Sequence, residues 1–201
     1  MEATVSARSR RGRPRCEKAR LATLAATADL VLDRGDLRVS LDLVAERAGV
    51  SKATIYRWWP SKELLVLDAL QEWLGAGIAA PDTGSLRRDL LALVLSWRRE
   101  IRRWPFGSVI AALIAEAQAN PEFAESYHRR FFNPRREPVR EALARAIARG
   151  EARDELDVEA AIDLVHGPLY HRLLHGHGPL TAAFARDVVD GALTGMLRRG
   201  R

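Results

Sequence analysis

Apolar side chains recur every three or four positions along most of this chain, which is the period of one face of an α-helix. Alternation of apolar and polar side chains never extends beyond a few residues, so the sequence offers no strand of useful length. The pattern therefore predicts an all-α protein. Its helices are predicted over residues 17–34, 41–48, 52–58, 62–74, 85–104, 106–119, 122–132, 135–149, 158–175 and 180–197.

Three serines and one glycine divide the first third of the chain into short helical pieces. Ser40, Ser51 and Ser61 each precede a helical pattern, and their hydroxyls can accept from the free amides at a helix start. Gly49 can end the first piece in the left-handed conformation. Two short helices joined by such a tight turn form the arrangement that places its second helix in the major groove of DNA.

The second helix of this unit, residues 52–58, has the composition of a DNA-reading helix. Its donor side chains can reach phosphates and base edges, Ala53 permits close approach, and Lys62 can meet a phosphate from the next helix. A simpler interpretation is a helical hairpin whose polar face is only solvated. The predicted DNA-binding residues of the unit are Ser40, Ser51, Lys52, Ala53, Thr54, Tyr56, Arg57 and Lys62.

The same region resembles the DNA-binding domain of the TetR family of transcriptional regulators. The family pattern of a glycine, an aliphatic–alanine pair, Ala-Gly-Val and a Ser-Lys-x-Thr run appears in fixed register at Gly35, Val44-Ala45, Ala48-Gly49-Val50 and residues 51–62. Asp36 departs from the pattern, because the family usually has an aromatic packing residue at that position. We therefore expect a looser corner between the first two helices, and the resemblance favours DNA binding over the solvated hairpin.

The resemblance implies two folded domains. A three-helix, homeodomain-like helix-turn-helix domain would span residues 15–75, and a helical bundle for ligand binding and dimerisation would span residues 76–201. The segment Gly167-Pro168-Leu169-Tyr170-His171 is similar to one subclass of TetR C-terminal domains, in which the last two helices pair with their copies. Packing within one chain is the alternative use of the same apolar faces. The residues predicted at the dimer interface are Ile162, Leu169, Leu173, Val188, Val189, Leu193 and Met196.

Positive charge is concentrated at the N-terminus, where the first twenty residues carry +5 of the net +6. Residues 1–14 lack apolar periodicity and are predicted to be a disordered basic arm in the absence of DNA. The run Arg-Gly-Arg-Pro-Arg is similar to the core of AT-hook arms, so Arg11, Arg13 and Arg15 are predicted to enter the minor groove. A solvated tail that only aids solubility is the alternative.

The composition predicts a cytoplasmic protein that does not contact membranes. No apolar run approaches the roughly 18 residues of a membrane span. The N-terminal segment is basic and polar, unlike a signal peptide, and the single Cys16 cannot form an internal disulfide.

Aromatic residues from successive helices of the predicted C-terminal domain would surround one space. A largely apolar cavity with a few polar groups is the usual small-molecule site in a helical body, although each residue alone is equally suited to the core. The predicted lining residues are Trp97, Trp104, Phe106, Leu113, Phe123, Tyr127 and Phe131, with His166 and Tyr170 as the polar groups. These side chains do not identify the effector.

Four histidines raise the question of a metal site. His166, His171, His175 and His177 fall within twelve residues, and two of them are four apart, the spacing of ligands on one helix face. No HExxH motif accompanies them, so lining or interface histidines are favoured and no metal is predicted. Gly-x-Ser-x-Gly and glycine-rich phosphate loops are also missing from the sequence. We predict no catalytic residue, no cofactor and no enzymatic activity.

The sequence thus predicts a ligand-responsive repressor that binds a palindromic DNA operator as a homodimer. One alternative is an architectural, sequence-tolerant DNA-binding protein that relies on its arginine-rich arm. Another is an enzyme built on a helical body. The effector, the operator, the regulated genes and the choice between repression and activation are left open by the sequence.

Overall fold

The computed structural model describes residues 13–75, 79–103 and 105–197, with side chains from residue 16 onward. These residues form ten α-helices and one π-helical turn, and no strand was found among them beyond an isolated bridge between Ala152 and Leu197. The all-α prediction is confirmed. The elements are α1 (Arg13–Arg34), α2 (Leu41–Ala48), α3 (Lys52–Trp58), α4 (Lys62–Leu74), α5 (Leu86–Ile101), α6 (Phe106–Ala119), α7 (Pro121–Tyr127), the π-helical turn (His128–Phe132), α8 (Asn133–Ala148), α9 (Val158–His175) and α10 (Ala182–Met196).

The predicted serine caps fix the starts of α2, α3 and α4. The hydroxyl of Ser40 accepts from the amide of Leu43 at 3.4 Å, and that of Ser51 accepts from the amide of Thr54 at 3.2 Å. Ser61 caps α4 in the same way. Each cap satisfies a donor that the helix itself leaves free, which is typically worth about 1 kcal/mol.

The N-terminal helices enclose a small apolar core against α1 and α4. Leu24 and Val31 of α1, Val44 of α2 and Ile55 of α3 are almost fully buried in it. Each such side chain contributes about 1.5–3 kcal/mol relative to its exposed state. This core fixes the rotation of α3 about its axis, so the opposite face of that helix points to solvent.

Asp36, at the corner between α1 and α2, forms hydrogen bonds within the connecting turn, and the expectation of a looser corner stays a prediction. Its carboxylate accepts from the backbone amide of Arg38 at 2.8 Å and from the guanidinium of the same residue at 3.0 Å. These bonds, the backbone bond first, lower the pKa of Asp36. A short local hydrogen-bonded turn thus replaces the aromatic packing residue.

The remaining helices form the body, in which α5 packs between α8 and α10. Its start is held from a distance, because the carboxylate of Glu151, in the α8–α9 connection, accepts from the amide of Leu86 at 2.8 Å. Among the described residues, no helix combines the length and apolar character that crossing a bilayer requires. Cys16 is exposed in the first turns of α1.

Several helix boundaries differ from the prediction, most of them by one or two residues. α1 begins at Arg13 and not at residue 17, because Pro14 lies in the first turn, where its missing N–H is not needed. Residues 13 and 14 therefore belong to a helix and not to the arm, whose remaining residues lie outside the described part. α5 ends at Ile101, three residues early, ahead of a proline that disfavours helical geometry before it. α10 begins at Ala182, with Thr181 as its cap.

The predicted break between residues 132 and 135 is absent. The chain remains helical from Pro121 to Ala148 through the π-helical turn, and Pro134 lies in the first turn of α8. The turn adds one residue to a helical repeat, which rotates the side chains after it relative to those before it. This rotation determines which arginines of α8 face the interior of the body.

Candidate DNA-binding surface and effector cavities

The outer face of α3 carries the residues that the sequence predicted for DNA contact. Tyr56 is 54% exposed, a large value for an aromatic side chain, whereas Ile55 and Trp59 lie in the core behind it. The structure also leaves Ser51, Lys52, Ala53 and Arg57 exposed, and Thr54 half-buried. The helix therefore presents a ring, a hydroxyl and cations on one accessible face.

Two lysines frame this face, and both are paired with acids in the free protein. Lys52 Nζ lies 2.7 Å from Asp42 Oδ1, and this contact raises the pKa of the lysine. Lys62 Nζ lies 3.8 Å from Glu63 Oε1 at the start of α4. Both pairs are accessible to solvent, so a phosphate can replace the acid at little cost.

The other predicted DNA contacts lie at the edges of this surface. Ser40 is exposed at the start of α2. Arg13 and Arg15 fall in the first turn of α1, but their side chains are not among those described, and Arg11 lies outside the described residues.

A series of hydrogen bonds joins α3 to the body. Trp59, directly after α3, donates from its indole nitrogen to Asp68 Oδ2 of α4 at 2.9 Å. The other carboxylate oxygen of Asp68 accepts from Arg130 of the π-helical turn at 2.8 Å. One carboxylate thus contacts both halves of the molecule.

Two cavities in the described part of the chain are bordered by both α8 and α9. The smaller, about 140 Å³, lies between α4, α5, α8 and α9 and is bordered by Trp97, Glu100, Arg130, Arg135 and His166, among others. The larger, about 350 Å³, lies between α6, the π-helical turn, α8 and α9. Its lining includes Ile114, Tyr127, Phe132, Arg135, Asp163, His166, Tyr170 and Leu174. Arg135 and His166 border both cavities.

The predicted pocket residues separate into two groups. Trp97, Tyr127, His166 and Tyr170 border one cavity or both. Phe106, Leu113, Phe123 and Phe131 pack in the core and line neither cavity. Trp104 lies outside the described residues. The sequence reasoning missed Arg135, because a mixed-charge helix predicts solvated arginines.

The polar groups of the cavities differ in charge. Arg135 donates to the carbonyl oxygen of Phe131 at 3.0 Å, and its guanidinium carbon lies 3.5 Å from the centre of that ring. Burial lowers the pKa of Arg135 and raises that of Glu100. Neighbouring Arg136 is paired with Glu159 and Asp163.

His166 enters the cavities as a neutral group. Its Nδ1 lies 3.1 Å from the carbonyl oxygen of Ile162, an acceptor that requires the proton on this nitrogen. Burial lowers the pKa of His166. The Nε2 nitrogen is then a hydrogen-bond acceptor, and the ring adds no positive charge at neutral pH.

The other three clustered histidines meet at the exposed end of α9. The ring centre of His171 lies 4.6 Å from that of His175 and 5.0 Å from that of His177. Among the described side chains, no three or more metal-binding residues are arranged to hold a metal ion.

The residues predicted at the dimer interface lie mostly inside the protomer. Five of them are less than 5% exposed because they pack in the body core: Ile162, Leu169, Val189, Leu193 and Met196. Leu173 is half-buried and Val188 borders a surface groove. The accessible apolar surface of α9 and α10 is formed by other residues, Leu164, Pro168, Gly191 and Gly195. A residue enclosed by its own chain is not available to a partner chain, and where the dimer interface lies stays a prediction.

Comparisons with known proteins match both halves of the chain. A family model described as "Bacterial regulatory proteins, tetR family" matches residues 24–69, and "Tetracyclin repressor-like, C-terminal domain" matches residues 80–192. The chain is 39% identical to the uncharacterized HTH-type transcriptional regulator YdeS of Bacillus subtilis (strain 168), over 94% of each chain. It is 34% identical to the DNA-binding transcriptional repressor TetR of Mycobacteroides abscessus, over 89% of this chain and 94% of the relative. The crystal structure of the TetR family transcription regulator SCO0332 superposes with a TM-score of 0.77 at 35% identity, over 89% of this chain and 98% of that one.

Proposed function

Because the chain belongs to the TetR family of transcriptional regulators, which bind DNA and are not enzymes, we propose that it is a ligand-responsive repressor of a palindromic operator. The observation that carries the proposal is the exposed polar face of α3, held outward by the burial of Ile55 and Trp59. The repressor name of the Mycobacteroides abscessus relative supports repression over activation. Since its target is DNA, we expect the protein in the cytoplasm.

DNA contacts are divided between base edges and phosphates. Tyr56 and Arg57 enter the major groove from the middle of α3, and Lys52 exchanges Asp42 for a phosphate. Lys62 reaches a second phosphate from the start of α4, where the free amides of a helix also attract an anion. Arg11, Arg13 and Arg15 add contacts in the minor groove.

The homodimer forms through the groove on α9 and α10. Leu164 is 56% exposed, and the adjoining glycines allow a second backbone to approach closely. A two-fold dimer of this kind sets two copies of α3 about 34 Å apart, one turn of DNA, which requires a palindromic operator.

Effector binding in the body cavities controls operator affinity. Both cavities are bordered by the segment around the π-helical turn, and Arg130 connects this segment to α4. We call the DNA-binding domain of each protomer (α1 to α4) its head. A ligand that binds more tightly to one arrangement of the two heads in the dimer shifts the population toward that arrangement. We expect the ligand-bound arrangement to mismatch the operator.

Truncating Tyr56 tests the DNA-binding surface. A Tyr56→Ala variant should lose roughly tenfold or more in operator affinity, the loss of one good base or phosphate contact. Sedimentation should show an unchanged dimer, because the side chain is 54% exposed and lies outside the buried core. Leu21→Ala is the matched control, since it removes a large side chain that is 40% exposed on α1.

The operator for this measurement comes from selection of bound genomic fragments at near-physiological salt. Repeated recovery of one short palindrome is the expected result. Broad recovery of AT-rich fragments, together with unaltered binding by Tyr56→Ala, would contradict the proposal and favour the architectural alternative.

A further inference from the structure

No carboxylate among the described residues contacts Arg135 directly. Its neighbours on α8 are neutralised, because Arg136 is paired with Glu159 and Asp163, and Arg140 with Glu159 and Glu137. Arg135 forms one hydrogen bond, to the carbonyl of Phe131, and pairs with no carboxylate in the described part of the chain. A guanidinium has five N–H donors, so most of them are free to bind a ligand.

The position of Arg135 is fixed before any ligand arrives. The ring of Phe131 lies against its guanidinium at 3.5 Å, and the hydrogen bond to the carbonyl of the same residue holds one nitrogen. Glu100, which borders the smaller cavity with Arg135, makes no salt-bridge contact with it, but the two charges are close enough for each to favour the charged form of the other. Because the guanidinium is partly buried and no carboxylate touches it, an anion that enters the larger cavity can still form a direct contact that stabilises it.

The walls of the larger cavity suit a flat apolar body. The rings of Tyr127 and Phe132 lie 6.2 Å apart, and Tyr170 faces them from α9. Ile114 and Leu174 complete the apolar lining, and the volume of about 350 Å³ lies in the range of small-molecule sites. An aromatic ring system stacks favourably on such walls.

The charged side chains that line the larger cavity favour a ligand with one negative charge over a ligand with two. Of the two arginines that line this cavity in the described part of the chain, Arg136 is in contact with Asp163 and Arg135 is in contact with no carboxylate. Burial lowers the pKa of His166, which therefore brings no second positive charge. A phosphate dianion would approach the Asp163 carboxylate without compensation.

We propose that the larger cavity binds an aromatic carboxylic acid as its monoanion, with the carboxylate on Arg135 and the ring between Tyr127, Phe132 and Tyr170. The inference rests on the proposed function only in treating this cavity as the effector site.

Matched acids and amides test the charge requirement. Binding of benzoate, phenylacetate and naphthylacetate is compared by calorimetry with binding of their primary amides, which have the same shape and no charge. At least one acid should bind the wild-type protein about tenfold or more tightly than its amide, because a charge-assisted bond to a guanidinium replaces a neutral one. An equal affinity of acid and amide, or no binding of any acid at millimolar concentration, overturns the proposal.

An arginine variant tests the assigned partner. Arg135→Gln should abolish the preference for the acid, while Arg129→Gln should keep it. Arg129 is the matched control because it lies nearby on the π-helical turn, exposed and paired with Glu125. Persistence of the preference in Arg135→Gln overturns the assignment, and the wild-type comparison decides the ligand class if that variant does not fold.

Operator binding of the ligand-free wild-type protein is measured separately. Retained operator binding without acid preference rejects the ligand class alone. Acid preference without operator binding rejects the proposed function and leaves the ligand assignment in place.

Discussion

Burial of a single imidazole, that of His166, connects folding to pH. Burial is the first cause that lowers its pKa below the ordinary value of 6.5, so the unfolded chain binds a proton more readily than the folded one. A group with a depressed native pKa contributes stability that is complete above the unfolded pKa. That contribution is lost as the pH falls through the native pKa.

The free energy of unfolding should therefore decrease as the pH is lowered from about 7.5 to about 5.5. His166→Gln should weaken this dependence, since glutamine does not titrate. Ala160→Gln, at an exposed position of the same helix, is the control, because it adds a glutamine without removing a titratable group, and it should leave the dependence as it is. Urea unfolding at several pH values measures the effect, and an unaltered dependence in His166→Gln would contradict it.

Single residues on the outer face of α3 were predictable, and those of the cavities were predictable only in part. Tyr56 was identified because α3 is short, capped and dominated by local chemistry. Arg135 was missed because its orientation depends on the π-helical turn. The pattern of apolar and polar residues in this segment does not predict such a turn. A hydrogen bond to a backbone carbonyl and a ring contact then determine what the guanidinium faces.

At the scale of elements, the end of α1 is in contact with the body. Gly35 has φ of 73°, and a Cβ added to it would lie 2.9 Å from Cβ of Pro105, in the α5–α6 connection. Gly49, at the end of α2, has a similar φ of 65°, but a Cβ added there would meet no atom within 4 Å. A substitution at Gly49 would therefore introduce backbone strain alone, whereas one at Gly35 would introduce the same strain and a steric contact with Pro105.

Gly49→Ala should lower the free energy of unfolding by about 1 kcal/mol, the cost of a left-handed non-glycine residue. Gly35→Ala should cost about 1–3 kcal/mol more, because the added methyl group overpacks the contact with Pro105. Urea unfolding of both variants gives the difference. Equal losses would mean that the α5–α6 connection shifts freely, against this prediction.

The starts of α2, α3 and α4 were well predicted, whereas the continuity of the helix from α7 into α8 was not. Ser40, Ser51 and Ser61 act through bonds within three residues, so the sequence contains the whole cause. Continuity from α7 into α8 depends on packing of the π-helical turn against the body. The wide apolar faces of α9 and α10 could pack against the rest of the same chain or against a second copy of it. The sequence pattern is the same in both cases, so it does not distinguish them.

At the scale of the whole molecule, Asp68 is the polar contact between the recognition helix and the cavity region. Trp59 and Arg130 reach its two oxygens from opposite sides. Because these bonds restrict the orientation of α3 relative to the body, we expect them to keep the free protein closer to the arrangement that binds DNA. In the proposed mechanism, an effector bound near Arg130 acts on the same carboxylate.

Asp68→Asn retains an acceptor for Trp59 and removes the charge that holds Arg130. We expect operator affinity to fall about fivefold or more, with the dimer unchanged, because the heads then sample more orientations. Asp190→Asn is the control, since it removes the exposed body pair with Arg87. Fluorescence anisotropy with operator DNA measures both variants, and equal affinities would count against this role of Asp68.

The exposed thiol of Cys16 makes the motion of the heads accessible to spectroscopy. It is the one cysteine of the sequence, so a nitroxide reagent modifies each protomer at a single place without prior removal of native side chains. In the proposed homodimer the two nitroxides form a pair, one on each head. The dipolar coupling between the two unpaired electrons depends on the distance between the labels. Measured with and without DNA, it gives a distance distribution in which each arrangement of the heads is represented by its population.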